Sequence, residues 1–164
     1  MAVADGWKSS QPRPQGLLHF SKGSALETSF FISSQTPQAQ LTLTSKNCDF
    51  MKNFTDTSLH VYFAGNLRIN NCDGCCSRWY FTFNDAECSS PGPIDGAFYM
   101  QTGNNHNLHR HRHIEGHCNN IHKGKVRVGF WVGKCATGHD SADASTGWAT
   151  MSRIFVDEVA KAQQ

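Results

Sequence analysis

The sequence predicts an all-β fold, a sandwich or jelly roll stabilised by disulfides, on three observations. Apolar and polar residues alternate with period two in several separate runs. Turn signals rich in glycine, proline and asparagine divide those runs into about six or seven short strands, leaving helix a minor part. Seven cysteines in 164 residues exceed cytosolic habit and suit an oxidising, extracellular setting.

Taken in order, Met1 to Ser24 is rich in Ser, Pro, Gln and Gly, with Leu17, Leu18 and Phe20 as its one apolar knot. Phe30-Phe31-Ile32 suggests a short strand, and Ser33 to Gln40 is again polar and broken by Pro37. Residues 1–45 therefore read as a poorly structured lead and residues 46–160 as one globular domain. Leu59, Val61 and Phe63 alternate, Gly65-Asn66 reads as a II′ turn, and Leu67 and Ile69 resume the alternation, which predicts a hairpin. Cys72-Asp73-Gly74-Cys75 is a tight turn feeding the segment Cys75 to Asn84. There Trp79, Phe81 and Phe83 share one face, and each buries roughly 150–250 Å² in a core, so this strand should be central. Cys75 and Cys76 then point to opposite sides of the sheet. Ser89 to Pro93 is a rigid loop, Ala97 to Gln101 a strand, and Leu108 to Ile114 an extended segment. Val126, Val128, Phe130 and Val132 define a further strand, and Ile154 and Val156 a last one covered on both sides.

Bulk properties exclude several classes. A formal charge of +2 gives no electrostatic case for nucleic acid, although protonating all nine histidines would raise it to +11. No apolar run approaches the ~20 residues of a membrane span. The stretch MAVADGWKSSQPRPQ lacks a charged start and an apolar core segment, so the expectation is that this is not the native start of a secreted protein. The odd cysteine count leaves at least one of Cys48, Cys72, Cys75, Cys76, Cys88, Cys118 and Cys135 unpaired within the chain. About 105 pairings remain open.

The segment with the most reactive composition holds His106, His109, His111, His113, His117 and Cys118. On a strand, His109, His111 and His113 share one face at a spacing of about 6.5–7 Å, wide for a tetrahedral metal site but open to Zn²⁺ or Cu²⁺ with help from a loop. The alternative is a solvated edge strand whose Arg110 and Arg112 face the other way and discourage edge pairing. Gly103, His109, His111 and Glu115 also fit the first metal motif of cupins; no proline follows Pro93 to supply the second. Cys72-x2-Cys75 with Cys76 and Cys88 has partial zinc-knuckle spacing, for which disulfides are the preferred reading. No G-x-S-x-G, Walker loop or H-E-x-x-H occurs, and no cofactor is expected. Asn53-Phe54-Thr55 is a glycosylation sequon. Arg110, Arg112, Lys123, Lys125 and Arg127 give the middle of the domain a basic bias. This suggests weak binding to sulfated glycosaminoglycan or acidic partners, stronger below about pH 6.5 as histidines charge.

The blocks CCSRWYFTFNDAEC (75–88), Trp131-Val132-Gly133 with Cys135, DASTGW (143–148) and Ser152-Arg153-Ile154 resemble the C-terminal domain of the collagen triple helix repeat-containing protein family. The resemblance runs in order from about Cys48 to Glu158 and takes in GNLR (65–68), Ile114-Glu115-Gly116 and Cys118. It implies a C1q/TNF-like jelly roll in a secreted glycoprotein of the extracellular matrix, trimeric through a collagen stem. It also implies a non-enzymatic role in cell migration, collagen deposition and Wnt signalling, with Wnt ligands and Frizzled-type receptors as partners. Residues 1–45 do not share it, no Gly-X-Y segment precedes Cys48, and of the histidine segment only His109-Arg110 is shared. The family has a further cysteine upstream of the position of Cys48, whose absence would account for the odd count. The expectation is a fragment, or a chain whose beginning has been replaced, with the first strand supplied from Phe30 to Leu43. The second functional reading is a pericellular metal- or glycosaminoglycan-binding module using the His/Arg segment.

Overall fold

A computed structural model of the chain describes residues 28–33, 46–70, 72–101, 106–135, 138–139, 143–147 and 150–161. Among these residues the regular structure is entirely strand: β1 (Thr28–Ser33), β2 (Lys46–Lys52), β3 (Thr57–Asn70), β4 (Cys75–Phe83), β5 (Ala86–Glu87), β6 (Asp95–Met100), β7 (Asn107–Cys118), β8 (Gly124–Lys134), β9 (Asp143–Thr146) and β10 (Met151–Ala160). The front sheet has the order β1-β10-β3-β7, with β9 also on β3; the back sheet has the order β2-β8-β4-β5, with β6 also on β4. All pairings are antiparallel, and they are nested: β1 with β10, β2 with β8, β3 with β7, β4 with β6. One long hairpin wound over itself gives this order, which is a disulfide-bridged jelly-roll sandwich.

Alternation explains which face each strand buries. Leu59, Val61, Phe63, Leu67 and Ile69 of β3 meet Trp79, Phe81 and Phe83 of β4 and Val126, Val128 and Phe130 of β8 in one core. Phe63 stacks on Phe130 with ring centroids 4.4 Å apart, joining the sheets at the centre. Trp79 is fully buried, and its Nε1 donates to Thr146 Oγ1 at 2.9 Å across the sandwich, so its polar end is satisfied as well. β4 lies inside the back sheet, between β8 on one side and β5 and β6 on the other.

Several strands are longer than the turn signals suggest, β3 reaching 14 residues. Gly65-Asn66 is not a turn: the chain runs straight through it, with Gly65 opposite Arg112 and Asn66 opposite His111 on β7. The glycine is needed for space, because a Cβ there would lie 2.6 Å from Ser152 Cβ and 2.9 Å from the tip of Phe63. The two-residue turn is instead Asn84-Asp85, both with positive φ (52° and 68°), linking β4 to β5 as a type I′ hairpin requires. β1 falls in the stretch of loose composition and contains the Phe30-Phe31-Ile32 run; the remainder of residues 1–45, with Gly103 and Trp148, lies outside the described residues.

Three bridges staple the sandwich. Cys72–Cys75 closes the turn before β4, Cys76–Cys135 ties the start of β4 to the end of β8, and Cys88–Cys118 joins the back sheet to the last residue of β7. Cys75 belongs to the core and Cys76 lies on the other side of β4, as alternation requires. Cys48, buried on β2, is the free cysteine.

Candidate interaction surface

β7 hydrogen-bonds to β3 on one side and is the last strand of the front sheet. Its buried positions are Ile114 and Cys118; the alternate residues His109, His111, His113, Glu115 and His117 therefore share the outer face. The register sets His117 opposite His60 and Glu115 opposite Tyr62, while β10 sets Asp157 opposite His60 and Phe155 opposite Tyr62. Residues far apart in the chain thus meet in rows across β10, β3 and β7.

Two of these rows are in contact. Tyr62 stacks on Phe155 at 4.2 Å and takes the edge of His113 at 5.3 Å. His60 stacks on His117 at 4.5 Å. His60 Nε2 lies 2.7 Å from Glu115 Oε1, and its Nδ1 lies 3.6 Å from Asp157 Oδ2. The other oxygen of Glu115 is 3.5 Å from His113 Nε2. The hydrogen bond from His60 is the main cause that holds the Glu115 carboxyl below the ordinary carboxylate range, against its partial desolvation and with help from His113 and His117. His109 is shifted the other way, towards the neutral form, by burial and by the neighbouring Arg68.

Arg110 and Arg112 occupy the opposite face of β7 from the histidines. The Arg112 guanidinium lies over the Phe98 ring at 5.1 Å, and neither arginine makes an ion pair among the described residues. The expected basic stretch does not form one patch, because Lys125 and Arg127 belong to β8 in the back sheet and are answered by Asp49 (2.7 Å) and Asp85. Among the described residues no group of three His, Cys, Asp or Glu side chains is arranged to hold a metal ion. The carboxylate of the cupin pattern, Glu115, is engaged by His60 and His113 instead. Cys72, Cys75, Cys76 and Cys88, which have partial zinc-knuckle spacing, are all in disulfides. No described helix is long and apolar enough to cross a membrane.

Asn53 is exposed in the β2–β3 turn. Its backbone N–H donates to Glu158 Oε2 at 2.7 Å, beside that of Phe54 at 2.8 Å, so the sequon sits on a loop fixed from β10. A groove of about 390 Å³ runs between residues 91–95 and residues 115–117 on the same edge as Glu115 and His117.

The alternation in β7 makes its own histidines legible in the sequence. His60, Tyr62, Phe155 and Asp157 are missed, though their phase opposite to Leu59, Val61, Ile154 and Val156 marks them as outward. A protein-family model described as "CTHRC1, C-terminal domain" matches residues 32–156, from the end of β1 into β10.

Proposed function

This chain belongs to the family of the CTHRC1 C-terminal domain, and from that premise we propose that it is a non-enzymatic, protein-binding module of the extracellular matrix. The observation that carries the reading is the unbroken family match over residues 32–156, which takes in every strand from β2 to β9 and most of β10. Three disulfides support an oxidising compartment, and an exposed Asn53 supports glycosylation there. The body of the module is residues 46–160, with β1 added to one edge of the front sheet. It works as a homotrimer that engages Wnt ligands and Frizzled-type receptors and so modulates cell migration and collagen deposition. The stacked Tyr62–Phe155 pair on the front sheet is the aromatic anchor such an interface uses.

The test is binding of the bridged, folded protein to an immobilised Frizzled-type receptor, with and without a Wnt ligand. Saturable binding that is lost in Tyr62→Ala supports the reading. A folded protein that shows no saturation up to about 10 μM overturns it.

The second reading, a pericellular glycosaminoglycan-binding module, is favoured by Arg110 and Arg112, exposed on an edge strand without carboxylate partners among the described residues. Retention on a heparin column that falls with salt and with Arg110→Ala/Arg112→Ala checks it.

A further inference from the structure

His60 is the one described imidazole with both ring nitrogens facing carboxylates, one from each neighbouring strand: Glu115 on β7 at 2.7 Å and Asp157 on β10 at 3.6 Å. A neutral imidazole carries a single N–H, so it can donate to only one of them. In that state the hydrogen bond to Glu115 leaves a bare nitrogen lone pair facing Asp157. A protonated ring donates from both nitrogens, and its single positive charge cancels one of the two carboxylate charges that otherwise oppose any anion at this surface. The other groups facing His60 are His117, stacked on it, Tyr62, whose ring lies 6.0 Å away, and His113, which shares Glu115. Further along the outer face of β7 stand His111 and His109; burial and Arg68 hold His109 towards its neutral form.

From this arrangement we infer that the outer face of β10–β3–β7 is a proton-gated surface for sulfated polysaccharide, with His60 as its gate. The inference rests on the second functional reading for its ligand class and adds to it the face of β7 opposite to Arg110 and Arg112. At neutral pH, Glu115 and Asp157 present negative charge in the middle of the face and repel sulfate. As the pH falls through the range in which imidazoles charge, between 5 and 8, His60 comes to donate to both carboxylates and cancels one of their two charges. His113, 3.5 Å from Glu115, offsets the second carboxylate charge, and His111 and His117 then add positive charge along the same face of β7. The low proton affinity of Glu115 means that it stays ionised throughout and serves as the counter-ion of His60. The switch is electrostatic and local; the strands need not move.

The probe is heparin, with unsulfated hyaluronan as the comparison, measured at pH 7.4 and 5.8 at one fixed ionic strength. Heparin is expected to bind about tenfold tighter at the lower pH, and hyaluronan not to gain. His60→Gln is expected to lose part of that gain. Glu115→Gln is expected to tighten binding at pH 7.4 and flatten the pH dependence. His122→Gln, in the β7–β8 turn, keeps the wild-type profile. Near-UV circular dichroism identifies variants that fold, and if His60→Gln does not, Glu115→Gln decides. Equal heparin binding at both pH values leaves the glycan reading standing and overturns the gate, as does a folded His60→Gln with the wild-type gain. No binding at either pH, even at low salt, overturns both. Equal gain for hyaluronan overturns the assignment to sulfate.

Discussion

Lys52 on the back sheet is buried and Glu158 on the front sheet partly so, with Nζ and Oε1 3.9 Å apart across one end of the sandwich. Around them the β2–β3 turn is held by several hydrogen bonds. Glu158 accepts from the N–H groups of Asn53 and Phe54 and from Thr57 Oγ1, while the Lys52 ammonium donates to Thr57 Oγ1 at 2.8 Å and to the Phe54 carbonyl. Removing one partner leaves the other charge buried alone. Glu158→Ala is therefore expected to cost about 3 kcal/mol. Urea unfolding checks this, and a loss well under 1 kcal/mol would contradict the account.

The same carboxylate sets an acid limit. Burial works against its charged form, but the hydrogen bonds from Thr57, Asn53 and Phe54 and the charge of Lys52 outweigh that and hold it below the ordinary carboxylate range. The unfolded chain consequently takes up its proton first as pH falls. The stabilisation is complete above the ordinary value of about 4.3 and is lost as pH drops through the lower native value. The urea midpoint is expected to fall below about pH 4, with a shallower fall in Glu158→Gln.

Cys48 is expected to be chemically silent while the domain is folded. Burial, reinforced by Asp49, pushes its thiol up to about 11, so almost no thiolate exists at pH 8. Iodoacetamide without reductant should label it only after denaturant is added, with mass spectrometry finding one adduct per chain, on Cys48. Rapid labelling of the native protein would show that the core does not cover it.

The Cys88–Cys118 bridge closes a loop of sequence separation 30 and links the two sheets. Replacing both cysteines with serine is expected to lower stability by about 3 kcal/mol, chiefly by freeing the unfolded chain. Thermal unfolding of the double variant, compared at equal pH with the parent, reads this directly.

Gly65→Ala is expected to cost about 2 kcal/mol through overpacking against Ser152 and Phe63. Ser152→Ala in the same chain should recover only part of it, since Ser152 Cβ also lies 2.6 Å from the added carbon. A neutral Gly65→Ala would mean that β10 can move away from β3.

Gly65 also shows where the sequence misleads. Locally, Gly-Asn between alternating runs is a turn signal, and only the cross-strand neighbours of β3 reveal that the glycine is there for clearance. The alternations of β4 and β8 were legible because their period is written within a few consecutive residues. The interaction face was half legible for the same reason: β7 carries its histidines in one run, but His60 is 55 positions from Glu115. That meeting depends on register, which is set by pairings across the whole chain. The Lys52–Glu158 pair is hidden in the same way, its partners joined only once β2 and β10 have been brought to one end of the sandwich.

β10 lies between β1 and β3, and it is the strand that β1 pairs with. During synthesis the front sheet consequently has a gap at its centre until residues 151–160 have left the ribosome. Until then the inward faces of β3 and β8, which carry Val61, Phe63 and Phe130, stand partly uncovered. Chaperone demand for this domain should accordingly be concentrated in the interval before residues 151–160 emerge, and truncation just upstream of Met151 should yield a product that aggregates rather than a smaller folded protein.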